Sequence, residues 1–235
     1  MTIQDQFAGQ TTPAPFDVLN AFPHGVNRRR HARRDKHPTL KWTVKRALDL
    51  AIAVPAVLLL CPLFALLTLA VAADSRGPIL FCQKRRGLNG RPFGIYKFRT
   101  MRVLEDGVVI TQAQERDLRV TRLGQFLRRT SLDELPQLFN VILGEMSLVG
   151  PRPHAIAHDD HYGALIPDYA SRQCVKPGIT GLAQISGYRG PTPTTACMAA
   201  RVALDLDYAR RQSLVLDLTI LLRTPLAVLF QRNAI

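Results

Sequence analysis

The run Arg128-Arg129-Thr130-Ser131-Leu132-Asp133-Glu134-Leu135-Pro136-Gln137 sets two adjacent carboxylates just behind two arginines. That chemistry suits phosphoryl transfer. One carboxylate can attack phosphorus as a nucleophile, and the other can hold a divalent cation that offsets phosphate charge. Mg2+ is the natural metal for such oxygen ligands, which makes Asp133 and Glu134 the candidate metal ligands as well. The spacing Ser131-x-x-Glu134 also fits a capping box. That would put Asp133 in a first helical turn, among free N–H groups that attract anions. Taken alone, the pair reads more readily as a cap plus an acid complementing the helix dipole than as a catalytic dyad. Pro136 leaves the start of the helix ambiguous.

Three further places could bind an anion. In Gly150-Pro151-Arg152-Pro153 two prolines restrict the backbone and aim Arg152, whose guanidinium fork matches phosphate. A solvated arginine on a surface turn is the equally good alternative. The stretch Lys176-Pro177-Gly178-Ile179-Thr180-Gly181-Leu182-Ala183-Gln184 has glycines that would let backbone amides approach an anion, with Thr180 and Gln184 as candidate substrate contacts. It lacks the GxxxxGK[ST] signature of a P-loop. Lys97 and Arg99 alternate along IYKFR, so they share one strand face and reach either the same anion or solvent.

The elements that must position these residues begin with an unusual segment. Residues 50–73, LAIAVPAVLLLCPLFALLTLAVAA, contain no charge. As a straight helix they would reach ~36 Å, enough for a bilayer core of ~30 Å. Both flanks are basic, however: Lys41, Lys45 and Arg46 before, and Arg76, Lys84, Arg85, Arg86 and Arg91 after. Positive charge marks the cytoplasmic side, so both ends are expected there. Pro55 and Pro62 each remove a helix hydrogen bond. A re-entrant helix broken at Pro62 satisfies both facts better than a spanning one, and a buried soluble-core helix would not be apolar on every face.

Residues 1–40 read as a flexible tail carrying the basic cluster from Arg28 to Lys36, suited to anionic headgroups or simply to solvent. The expected domains are therefore this tail, the membrane segment 41–75 and a cytoplasmic catalytic region 76–235. Within the last, PILFCQKR and FGIYKFRTM flank Leu88-Asn89-Gly90 as a β-hairpin. Residues 116–129 read as a basic amphipathic helix with Leu118, Leu123 and Leu127 on one face, and 131–143 as a short helix. Residues 174–190 read as loop and 197–211 as helix. LVLDLTILLRTPLAVLF reads as an amphipathic helix lying in the membrane interface. The expected class is α+β, mostly helical, with a re-entrant membrane helix and a small hairpin. Four cysteines without metal spacing exclude a zinc site or disulfide framework. The formal net charge of +13 calls for an anionic partner.

In order along the chain, KRALDLAIAV, CPLFALLTLAV, QKRRGLNGRPFGIYKFRTM, RVTRLGQFLRRTSLDELPQLFNVILGEMSLVGPRP and VKPGITGLAQISGYRG resemble the bacterial sugar transferase family, the monotopic polyprenol-phosphate phosphoglycosyl transferases. The resemblance runs from about Lys45 to the C-terminus and is nearest to the short, exopolysaccharide-initiating members. It implies a re-entrant helix broken at Pro62 and a location at the cytoplasmic face of a bacterial inner membrane. It implies that Asp133 attacks the β-phosphate of a UDP-sugar, releasing UMP, and that polyprenyl (undecaprenyl) phosphate takes the phosphosugar from the aspartyl intermediate. It assigns Glu134 to Mg2+ and sets Arg128 and Arg152 near the phosphates or the nucleotide. The implied partners are the UDP-sugar, polyprenyl phosphate, membrane lipids and polysaccharide assembly enzymes. Cys61 stands where the family often has Ser before the proline, and a thiol is the weaker donor. No residue reads out which sugar is moved.

Two other classes compete. A membrane-anchored nucleic-acid binder would use the basic surplus, but few aromatics and no recognisable module argue for no nucleic-acid partner. A non-catalytic scaffold would not need the intact dyad.

Overall fold

A computed structural model of the chain describes residues 38–102 and 117–230. The basic cluster Arg28–Lys36, expected to be a flexible tail, lies outside the described residues. The apolar segment forms two helices, α1 (Pro38–Leu59) and α2 (Cys61–Asp74), bent by 62° at Leu60. Pro62 sits in the first turn of α2, where its missing N–H would be unpaired anyway. Helix α1 runs through Pro55 without ending there. The break forms with Cys61 exposed to the outside. No single helix among the described residues is long and apolar enough to cross a membrane. The 14 residues of α2 span only ~21 Å, against a hydrocarbon core of ~30 Å. Leu58, Leu59, Leu66 and Leu69 around the bend point outward, 61% to 81% exposed.

The base of α1 is fastened to the rest of the molecule by charge. Lys45 Nζ donates to Asp217 at 2.7 Å and to the Val149 carbonyl at 3.2 Å. Tyr208 donates to the other Asp217 oxygen at 2.7 Å. Asp49 accepts from Ser147 Oγ and the Leu148 N–H, each at 3.0 Å. Arg46 donates to the carbonyls of Val141 and Ile142.

Strands β1 (Leu80–Arg86) and β2 (Pro92–Phe98) pair antiparallel from Leu80↔Phe98 to Arg86↔Pro92, as the hairpin pattern predicts. Asn89 takes φ 54° in the connecting turn, a conformation its short amide tolerates. Helix α3 (Arg122–Thr130) starts later than the sequence pattern suggests. Thr121 is its N-cap, with Oγ1 accepting from the Gly124 N–H at 2.9 Å, and Leu118 lies before it, 98% exposed. A Cβ on Gly124 would collide with the Thr100 carbonyl, so the glycine lets α3 sit against the end of the hairpin.

Ser131 ends α3 with φ 60°, its N–H bonded to the Arg128 carbonyl. A 3₁₀ turn, Leu132–Glu134, and then α4 (Gln137–Leu143) follow. The expected capping box does not form. Ser131 is left-handed and its side chain caps nothing, while the Glu134 carboxylate turns to basic side chains instead. Strand β3 (Ser147–Val149), α5 (Ile156–Leu165) and a 3₁₀ segment, Tyr169–Cys174, come next. The stretch expected to be loop holds β4 (Gly178–Thr180), parallel to β3, and the short α6 (Leu182–Ile185). Helices α7 (Thr195–Arg211) and α8 (Leu214–Phe230) complete the chain.

The fold is thus mostly helical with two small sheets. Its main core joins Ala53 of α1, Phe93 and Ile95 of β2, Leu138 and Val141 of α4, Val149 of β3, Tyr208 of α7 and Ile220 of α8. A second cluster packs Leu67 and Val71 of α2 on Phe98 and Leu127. Helix α8 buries Asp217 and Ile220 but exposes Leu214, Leu218, Leu222 and Leu226, one leucine per turn on its outer side.

Candidate active site

The hairpin and the α3–α4 junction bring the first charges together. Phe93, Ile95 and Lys97 fall on one side of β2 by its two-residue period. Phe93 and Ile95 enter the core, and Lys97 Nζ donates to Glu134 Oε1 at 2.7 Å. Arg152 grips the same carboxylate with both arms, Nη2 to Oε1 at 2.5 Å and Nη1 to Oε2 at 3.1 Å. Burial alone would push the Glu134 carboxyl up. Arg152 and then Lys97 more than offset this and hold it well below the usual carboxylate range.

Asp133 stands in contrast. It is 7% exposed, yet among the described residues no hydrogen bond reaches its carboxylate. Burial raises its pKa to about 6, with Glu134 adding to the rise and Lys97, Arg128 and Arg152 opposing it. A buried carboxylate ringed by cations but bonded to none keeps its lone pairs free for an incoming electrophile. Arg128 lies near it and donates through Nε to Thr100 Oγ1 at 2.9 Å.

The Arg152 loop is positioned from behind. Gly150 N–H donates to the Thr180 carbonyl and Gly178 N–H to the Pro151 carbonyl, both at 2.9 Å. The backbones of Gly150, Gly178 and Gly181 touch so closely that a Cβ on any of them would overlap main-chain atoms. These glycines therefore serve backbone contact behind Arg152, which corrects their reading as an anion cradle. Thr180 shares a hydrogen bond with Thr224 Oγ1 at 2.8 Å, and Gln184 Nε2 donates to the Ile179 carbonyl at 2.8 Å. Both are buried in that support rather than turned to a shared anion with Lys97. Arg99 is a second correction. It lies past the end of β2 and is buried, its guanidinium donating to the carbonyls of Pro78, Val71 and Ser75 at the end of α2.

The sequence pattern did not disclose the network beneath Arg152. Arg172 donates to the Arg152 carbonyl at 2.5 Å and grips Asp205 Oδ2 through Nε and Nη2, at 3.0 and 2.7 Å. Its Nη1 faces His154 Nδ1 at 3.0 Å. The same Nδ1 lies 2.6 Å from the Tyr169 hydroxyl, and burial, then the Arg172 charge, holds the His154 pKa well below the usual imidazole value. Tyr169 donates to Asp159 at 2.8 Å and stacks under Arg172. Arg189, also not foreseen, donates to Ser131 Oγ and feels the charges of Glu134, Arg152 and Asp133. The signal for it was Gly187-Tyr188-Arg189-Gly190, an arginine set in a loop between two glycines.

A divalent metal fits here only in a limited way. No group of three His, Cys, Asp or Glu side chains gathers among the described residues, and both Glu134 oxygens are engaged. Two adjacent carboxylates completed by substrate phosphate oxygens and water are nevertheless a usual Mg2+ donor set.

The bacterial sugar transferase family profile matches residues 40–231. A Caulobacter vibrioides protein named UDP-glucose:undecaprenyl-phosphate glucose-1-phosphate transferase is 54% identical over 190 residues, 81% of this chain and 71% of its own length. A Xanthomonas campestris protein of the same name is 48% identical over 232 residues, 98% of this chain but 46% of its own. An exopolysaccharide production protein of Rhizobium leguminosarum is 46% identical over 185 residues, 77% of this chain and 92% of its own. The chain thus spans less than half of the Xanthomonas relative.

Proposed function

Since the chain belongs to the bacterial sugar transferase family, we propose that it moves a sugar-1-phosphate from a UDP-sugar to undecaprenyl phosphate, with Asp133 as the nucleophile. The observation that carries this reading is the bare Asp133 carboxylate beside a fully bonded Glu134. An Asp133 oxygen attacks the β-phosphorus, the bond from phosphorus to the bridging oxygen breaks, and UMP leaves with the electron pair. An oxygen of the lipid phosphate then attacks the same phosphorus. The aspartyl–phosphorus bond breaks, and Asp133 returns as a carboxylate. Two steps at one phosphorus mean that nucleotide and lipid need not share the site at once.

Glu134 holds Lys97 and Arg152 in place, so these cations are set before substrate arrives. Mg2+ would be held by Asp133 and Glu134 and would offset pyrophosphate charge when bound. Glucose is the first donor sugar to test, because it is named for both transferase relatives.

The bent pair α1–α2 is proposed to enter and leave one leaflet at the cytoplasmic face of the inner membrane, with the leucines of α8 at its surface. Both arms are tied to the same body, α1 through Lys45, Arg46 and Asp49, and the end of α2 through Arg99, which supports a return to the starting side.

The test is to incubate purified protein with UDP-glucose labelled in the β-phosphate, omitting lipid. Label on Asp133 with matching UMP release is expected. Absence of label with every UDP-sugar tried refutes the reading.

A further inference from the structure

The cluster around the dyad holds more positive charge than its own carboxylates answer. Lys97 and Arg152 are matched by Glu134, and Arg172 by Asp205. Arg128, Arg189 and Arg201 make no ion pair among the described residues. Arg201 lies on α7 at 6% exposure, donates through Nη2 to the Gly190 carbonyl and leaves Nε buried without a partner. Arg189, next to that carbonyl, donates through Nη2 to Ser131 Oγ and leaves Nη1 buried without a partner. One hydrogen bond thus joins the Arg189–Gly190 loop to Arg201, and another joins it to the residue two before Asp133.

Two guanidinium groups tied to one short loop, each with a buried N–H unanswered among the described residues, form an incomplete arrangement. A water can accept from such a donor, but it cannot answer the charge. Burial, reinforced by Arg152, pushes the Arg201 pKa down to about 10 against the opposing charge of Asp205. Resting on the function proposed above, we infer that Arg189 and Arg201 form a second phosphate seat beside the dyad, for a phosphate group other than the one that Asp133 attacks. A tetrahedral phosphate offers three free oxygens, enough to accept from both arginines, and Arg guanidinium groups match it in geometry. Two sources carry that chemistry: the nucleotide phosphate that departs as UMP, and the phosphate of the acceptor lipid.

The experiment uses full-length protein in nanodiscs. Three quantities are compared between wild type and Arg189→Gln: affinity for UMP, affinity for uridine, and KM for undecaprenyl phosphate. Loss of one charge-assisted hydrogen-bonding group is expected to weaken phosphate binding by about 10- to 100-fold. If UMP affinity falls and uridine affinity does not, the seat holds the nucleotide phosphate. If the KM for the lipid rises by that factor while UMP binding is unchanged, it holds the lipid phosphate. Both quantities at wild-type values overturn the inference. Arg189→Lys keeps the charge and should recover part of the loss. Should Arg189→Gln not fold, Arg201→Lys, which loses Nε but keeps the charge, is read against the same three quantities with an expected loss of about threefold to tenfold and the same overturning result. Labelling of Asp133 in wild type is a separate readout. A protein that labels normally while Arg189→Gln binds as wild type loses only the seat; one that never labels while the variant loses UMP binding keeps the seat and loses the reaction.

Discussion

Two lysine–carboxylate pairs in this molecule, one buried and one half-buried, have the same 2.7 Å separation and opposite surroundings. At the base of α1, Lys45 meets Asp217, whose second oxygen takes the Tyr208 hydroxyl, and Lys45 also serves the Val149 carbonyl. Every strong group in that knot has an answer. At the dyad, Lys97 and Glu134 are as well matched, but among the described residues Asp133 beside them has no bonded partner and Arg189 keeps a spare N–H. A buried polar cluster that closes on itself fixes a fold, whereas one left open by a carboxylate and a guanidinium is built around something it does not yet hold.

The comparison breaks first at Asp133. Asp133→Asn should reduce transfer by more than about 10³-fold, read by UMP release, because the amide cannot form the covalent intermediate. The same variant should melt a few degrees higher at neutral pH. The pKa near 6 lies above that of an unfolded aspartate, so this group favours the fold at low pH, and the benefit is lost as pH rises from about 4 through 6. A lower melting temperature for the variant would remove the argument that burial disfavours the ionised Asp133 carboxylate.

Arg152→Lys replaces a two-armed grip on Glu134 with a point contact and should lower kcat by about 10- to 100-fold with little change in melting temperature. Lys45→Met should do the reverse. It strands Asp217 in the core, at a cost of about 3–5 kcal/mol seen in thermal unfolding, while the folded fraction keeps a near-normal turnover. Equal loss of turnover in both variants would erase the distinction between the two clusters. The smallest effect is in pH. Label transfer to Asp133 should drop about tenfold for each unit below pH 6, as the nucleophile gains a proton, and stay level above it.

What the sequence disclosed follows from local rules. The hairpin came from alternation and Asn89-Gly90 and the helix break from Pro62, whereas the dyad read by itself as a cap and was assigned to chemistry only through the family resemblance. Ser131 misled because its spacing to Glu134 is that of a cap, yet long-range partners, Lys97 and Arg152, claim the acid, and Ser131 turns left-handed to close α3 instead. The glycines near Thr180 misled in the same way, since two chain segments 28 residues apart meet there, Gly150 and Gly178. Arg172 with Asp205 and His154 was illegible for want of any short spacing to mark it; those groups meet only after α7 folds back on the Arg152 loop.

Arg99 has a consequence beyond its own bonds. It grips the last carbonyls of α2, while Lys97, two residues earlier on the same chain, touches the dyad. The hairpin therefore works as a ruler laid between the foot of the apolar arm and the phosphorus chemistry. Lengthening or shortening that foot by a residue shifts the zero of the ruler, so insertions between Val71 and Ser75 should be far less tolerated than substitutions at the exposed bend around Leu59.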